Sequence, residues 1–238
     1  MRLHECTWMQ IERYLERDDR IVLPLGSTEQ HGYLSLGVDA ILAERVSAEA
    51  AEPLGVPVAP VMPYGLAPYF AAYPGSPTLR VGTYLALVGD LLDSLHGQGF
   101  RRFLIVNGHG GNSPVDGLAP EWMAGHAGAQ VIVHHWWKGP RVWAVVQSID
   151  PEAAHANWLE SFEWTRLPGS EPAAESKPMV DLAQMRVADP ARVRELLGDG
   201  SYGGRYRRSA EDEAAVWRAG VEEVRDLLEG GWRGAPGL

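Results

Sequence analysis

The chain has 238 residues, 45% of them hydrophobic and 22% charged, with a formal net charge of −10. That length buries a substantial core without staples, and the acidic balance argues against non-specific nucleic-acid binding, which calls for a basic face. The lone cysteine, Cys6, excludes an intrachain disulfide and fits a reducing cytosol. There is no secretory signal pattern and no apolar run near the roughly 20 residues of a membrane span, so a cytoplasmic protein with no nucleic-acid or membrane partner is expected.

In chain order, strands and helices alternate. Arg20 to Leu25 reads as a short buried strand. Asp39 to Ala51 reads as a helix, with Leu42, Val46 and Ala50 recurring every four residues and the Asp39 carboxylate suiting its N-terminus. Val56 to Val61 is a weaker strand, because Pro57 and Pro60 each remove a ladder donor. Met62 to Thr78 is a long loop with Tyr64, Tyr69, Tyr73 and Ser76, and loops of that length are often functional. A helix over Val81 to His96 ends at Gly97 and Gly99, and the apolar strand Arg102 to Asn107 follows. A helix from about Ser113 to Gly125, a strand over Ala129 to His135, and helices over Glu152 to Phe162, Arg192 to Leu197 and Glu211 to Leu228 complete the pattern, with Pro168 to Lys177 as a polar linker. Such alternation favours one α/β domain over 1–238, with a mostly parallel sheet covered by helices. Ligands in such sheets bind beyond the strand C-termini.

Three segments carry candidate chemistry. Glu29 and His31, just past the first strand, are two apart, so in extended backbone their side chains share a side and can converge on one cation. Zinc accepts that donor mixture, as do manganese and iron. Asp39 follows at a helix start, where a carboxylate can bridge two ions. His109 lies among glycines at the end of the second strand, in Asn107-Gly108-His109-Gly110-Gly111-Asn112, where backbone can approach a ligand closely. In His155-Ala156-Asn157-Trp158-Leu159-Glu160, Glu160 could complete a metal site and His155 could move protons.

With these segments in order, the chain resembles the creatininase (creatinine amidohydrolase) family, through Gly26 to Gly32, Asp39, Gly108 to Asn112, and His155-Ala156 with Glu160. The resemblance implies a three-layer α/β/α sandwich, two divalent ions (zinc first, manganese or iron next), a homo-oligomer that is frequently a hexamer, and hydrolysis of a carbon–nitrogen bond, often in a cyclic amide. It implies that Glu29 and His109 bind one ion, His31 the other, and Asp39 both, with His155 near the substrate. Three departures stand out. Tyr33-Leu34-Ser35-Leu36 replaces a usual Pro-His-Leu-Pro in a shortened loop. Gly111 stands where creatininase itself carries a metal-binding glutamate, and Glu160 is the candidate replacement. Asn157-Trp158-Leu159 replaces a glycine-containing stretch.

The expected mechanism is attack of a metal-activated water on a polarised carbonyl. Backbone amides of Gly110 and Gly111 help to hold the oxyanion, and His155 is the general acid. Trp158, Tyr64 and Tyr69, together with Gly110, Gly111 and Asn112, are the expected small-molecule contacts. His134 and His135, followed by Trp136 and Trp137, rank lower, since adjacent strand residues face opposite ways. The same metal chemistry would serve carbon–carbon cleavage in a cyclic diketone or clipping of a short peptide. A non-catalytic metal-binding protein is the alternative of a different class.

Overall fold

The structure, a computed structural model, describes residues 1–172 and 174–232. Strands β1 (Arg20–Leu25), β2 (Arg102–Asn107) and β3 (Gln130–His135) pair in that order, all parallel. In register, Leu25 stands beside Asn107, and Asn107 beside His135. The residues that begin the following loops are therefore level at one edge.

The strand side chains divide by parity, as period two requires. Val22, Leu104 and Val106 join α2 (Val38–Ala51), α5 (Pro140–Ile149) and α7 (Ala210–Gly230) in one buried cluster. Ile21, Leu23, Phe103, Ile105 and Val131 join α1 (Trp8–Leu15), α3 (Val81–Gln98) and α4 (Val115–Gly125) in another. The expected three-layer α/β/α sandwich is what forms. A third, smaller cluster packs Phe70 of the long loop on Val193 and Leu197 of α6 (Pro190–Leu197). No helix among the described residues is long and apolar enough to cross a membrane.

Four local expectations change. The expected strand over Val56 to Val61 is reduced to single parallel bridges, Val58 with Val22 and Met62 with Leu25, because its two prolines cannot donate. The helix expected over Glu152 to Phe162 is a set of turns with one 3-10 turn, Trp158–Glu160. Asn157 competes with helical bonding there. Its Oδ1 accepts from the amides of Ala154 (3.1 Å) and Leu159 (3.2 Å), and its Nδ2 donates to the carbonyls of Glu152 (2.7 Å) and Gly203 (2.9 Å). Helices α1 and α5 are additional to the sequence reading. Inside the polar linker, Ser176–Lys177 forms β4, antiparallel to β5 (Gly204–Arg205).

Candidate metal centre

Two close approaches bring α2 to the sheet edge. A Cβ on Gly26 would fall on the Ala40 backbone, and one on Gly108 would fall on the carbonyl of Asp39. With glycine at both positions, the first turn of α2 sits directly on the ends of β1 and β2, and it carries Asp39 with it. Asn107 and Asn112 then tie the loops together. Asn112 Nδ2 donates to Gly26 O (3.0 Å) and to Asn107 Oδ1 (3.1 Å), while Asn112 Oδ1 accepts from the Leu66 amide (3.1 Å). Asn107 Nδ2 donates to the carbonyl of His109 (2.6 Å).

Glu29, His31, Asp39, His109 and Glu160 meet at this edge as two triads that share Asp39. One triad is Glu29, Asp39 and His109, and the other is His31, Asp39 and Glu160. His109 Nδ1 lies 2.9 Å from Asp39 Oδ2 and 3.3 Å from Glu29 Oε1. His31 Nε2 lies 3.1 Å from Asp39 Oδ1 and 3.7 Å from Glu160 Oε2. A third grouping joins Glu29 and His31 to His155, whose Nδ1 is 3.9 Å from Glu29 Oε1.

Backbone carbonyls fix both rings. His31 Nδ1 donates to Glu29 O (3.1 Å), and His109 Nε2 donates to Leu66 O (2.9 Å). A carbonyl only accepts, so each ring spends its N–H outward and turns its other nitrogen to the carboxylates. That is how metal-binding histidines are usually oriented. With the His109 proton on Nε2, Glu29 Oε1 and Asp39 Oδ2 are buried facing a ring nitrogen that does not donate to them. Buried carboxylate oxygens left in this way call for a cation. The donor set of imidazole and carboxylate fits zinc or manganese.

The electrostatics agree. Burial pushes the Glu29 carboxyl upward, and it takes Glu160 up to about 7, with the charge of His31 pulling Glu160 partly back. Burial also disfavours charge on His31, but Asp39, Glu160 and Glu29 outweigh it and lift the ring to about 10. The same contest raises His109, while at Asp39 burial pushes the carboxyl up and His31 and His109 outweigh it and hold it low. The cluster therefore favours positive charge at its centre, whether as protons on the rings or as a cation. Burial and the neighbouring His31 hold His155 well below the usual imidazole range, so it is neutral. His155 stacks on Phe70, with centroids 4.8 Å apart. Its Nε2 lies 2.9 Å from the side-chain Nε2 of Gln30 and 3.1 Å from the Gln30 backbone carbonyl oxygen. Gln30 was missed in the sequence, and only its place between Glu29 and His31 pointed to it.

Glu29, Asp39, His109, Glu160 and His155 line one cavity of about 960 Å³. Of the expected substrate contacts, Tyr69, Gly110 and Gly111 line it. Trp158 does not, being 1% exposed within the cluster of α2, α5 and α7. Tyr64 is an exposed side chain away from the lining, and Asn112 is a fully buried tie between loops. His134 and His135 do not line it either: burial holds His134 down to about 4, and His135 pairs with Asp116. Trp137 and Lys138, the next residues along, do line it.

A sequence profile described as creatinine amidohydrolase matches residues 4–236. The creatinine amidohydrolase of Pseudomonas putida is 32% identical over 62% of this chain and 62% of its own length. A 3-dehydro-scyllo-inosose hydrolase of Thermotoga maritima is 32% identical over 44% of this chain and 34% of its own length. The mycofactocin precursor peptide peptidase of Mycolicibacterium smegmatis is 38% identical over 42% of each chain. The matched stretches thus span less than two thirds of these relatives. Among solved structures, a manganese creatininase superposes with a TM-score of 0.77 at 25% identity, covering 98% of both chains. A mutant creatininase of the Zn-Zn type gives 0.76 at 25% identity over 98% of both.

Proposed function

Because this chain belongs to the creatinine amidohydrolase family, we propose that it is a metal-dependent hydrolase of a carbon–nitrogen bond in a small molecule, an amide and foremost a cyclic one. Two divalent ions, zinc in the first place and manganese or iron in the second, would be held by Glu29, Asp39 and His109 and by His31, Asp39 and Glu160. The observation that carries this reading is the pair of rings locked by backbone carbonyls, His31 and His109, each facing a different oxygen of Asp39. Relatives named as hydrolases and solved creatininases named for manganese and zinc support it.

Ions bound there supply Lewis acidity, which polarises a carbonyl and brings water toward ionisation at neutral pH. The remaining work falls to the chain. Asp39 and Glu160 fix the site on one side, and Glu29 on the other. Neutral His155, with Nδ1 toward Glu29, takes a proton from the attacking water and returns it to the leaving nitrogen. Gly110 and Gly111 line the cavity beside His109, where their amides would hold the oxyanion. A homo-oligomer, with a hexamer as the leading form, is part of the same proposal.

Elemental analysis of the purified protein and of Asp39→Ala tests the core of it. The parent should carry metal and hydrolyse members of an amide panel, and Asp39→Ala should lose both. A full metal complement in Asp39→Ala would overturn the shared-ligand assignment.

A further inference from the structure

The cavity is large for the reaction at its floor. Ligand pockets run from about 300 to 1,000 Å³, and this one, at about 960 Å³, is at the top of that range. Above the carboxylates its walls are apolar: Leu66, Phe70, Val81, Trp137, Trp143 and Leu182 come from five separate segments to line it. Val81, Trp143 and Leu182 are 52%, 41% and 39% exposed, so the mouth carries large apolar groups that water covers when no ligand does. Burying them against a ligand is favourable.

Among the described residues, one side chain of the lysine or arginine kind lines this space. Of 21 basic residues only two are lysines, Lys138 and Lys177. Lys177 is consumed structurally, donating to Asp199 Oδ1 (2.6 Å) and Ser201 O (2.8 Å). Lys138 lines the cavity with its ammonium 5.6 Å from the centre of the Trp137 ring, and it forms no ion pair among the described residues. Its neighbour Gly139 is pinned: a Cβ there would fall on the Glu223 carboxylate, which accepts from the amide of Val142 (3.1 Å) at the start of α5. The backbone that presents Trp137 and Lys138 is thus held from α7.

We infer that the substrate is an amide with an extended apolar arm and an anionic group of the carboxylate class, the arm lying on the Phe70, Trp137 and Trp143 walls and the anion pairing with Lys138. This rests on the hydrolase reading above, which puts the scissile bond at the carboxylate floor.

Calorimetry on the zinc-loaded protein separates the two ideas, because it needs no turnover. The probes are 4-phenylbutane-1-sulfonate (arm and anion), methanesulfonate (anion alone) and 4-phenylbutan-1-ol (arm alone), sulfonates being poor zinc ligands. The first should bind about 30-fold more tightly than methanesulfonate and about tenfold more tightly than the alcohol. Lys138→Gln should erase the advantage over the alcohol, and Lys138→Arg should keep most of it. Equal affinity for the long and short sulfonates overturns the arm, and an unchanged affinity in Lys138→Gln overturns the anion. Kinetics then compare hydantoin with 5-benzylhydantoin and its para-carboxylate. Faster cleavage of unsubstituted hydantoin overturns the inference while leaving the hydrolase reading intact. Sulfonate binding that depends on Lys138, without cleavage of any amide, supports the arm and anion subsites and overturns the amide and the hydrolase reading with it.

Discussion

The carbonyl oxygen of Leu66 occupies the volume that a side chain on Gly111 would need. That same oxygen accepts the His109 Nε2 proton. A glutamate at 111 is therefore excluded by the bond that orients His109, and the second triad takes its carboxylate from Glu160 instead. Gly111→Ala should force Leu66 and His109 apart. We expect most of the bound metal to be lost and stability to fall by about 1–3 kcal/mol, read by elemental analysis and denaturant unfolding. Retention of full metal in this variant would show that the loop yields without cost.

Replacing single carboxylates should dissect the centre. Glu160→Gln removes an anion from the triad of His31 only, so bound metal should fall by about half. Asp39→Ala touches both triads and should leave little. Titration of the stripped proteins with zinc, followed by calorimetry, distinguishes one lost site from two.

Ala156 has a φ of 57°, the one positive value outside glycine among the described residues. Its amide donates to Glu160 Oε2 (2.6 Å), so the strained turn is what aims that carboxylate. Ala156→Gly should hold the same turn with less strain and change stability by less than about 1 kcal/mol with metal binding intact. Ala156→Val, β-branched at a left-handed position, should cost several-fold more and release Glu160. Thermal melts with and without zinc read both effects.

How much of this was legible from sequence follows from where each signal resides. Strands β1 and β2 are buried on both faces, so they read as unbroken apolar runs. The clustering of the candidate ligands is legible because loops after parallel strands gather at one edge, and Glu29, His31 and His109 all follow strand ends. Helix α5 is absent from the sequence reading although Pro140 opens it and Val142 and Val146 recur four apart on its buried side; the hold of Glu223 of α7 on its N-terminus is remote in sequence. The turns at 152–162 were misread because a single amide side chain, Asn157, outcompetes helical hydrogen bonds there. Trp158 was expected at the substrate and lies in the core. Adjacency in sequence to His155 does not carry over to adjacency in space when Ala156 reverses the chain.

At the opposite end of the sheet, Arg20 and Arg102 stand side by side as the first residues of β1 and β2. Asp18 accepts from Arg20 Nε (3.0 Å) and from the Arg102 guanidinium (3.1 Å). Burial opposes charge on Asp18, but Arg20 and Arg102 win and hold its carboxyl below the usual range. A carboxyl depressed in the folded state adds stability above its unfolded value, near about 4, and that stability is lost as pH falls through the folded value. Asp18→Asn should therefore be less stable than the parent by about 1–2 kcal/mol at pH 7, with the gap closing in acid and metal content unchanged. Urea unfolding at pH 7 and near pH 3 measures it. An equal gap at both values would remove the charge from the explanation.

The five side chains of the candidate metal centre come from the loop after β1, the start of α2, the loop after β2 and the turn before Ser161, stretching from residue 29 to residue 160. Ions gripped by all of them would close that long span of chain at one point, as a covalent staple closes a loop in secreted proteins. A protein with a single cysteine has no intrachain disulfide to do the same. Removing bound metal should thus loosen the whole sandwich, and the parent should melt at a higher temperature with zinc than after chelation.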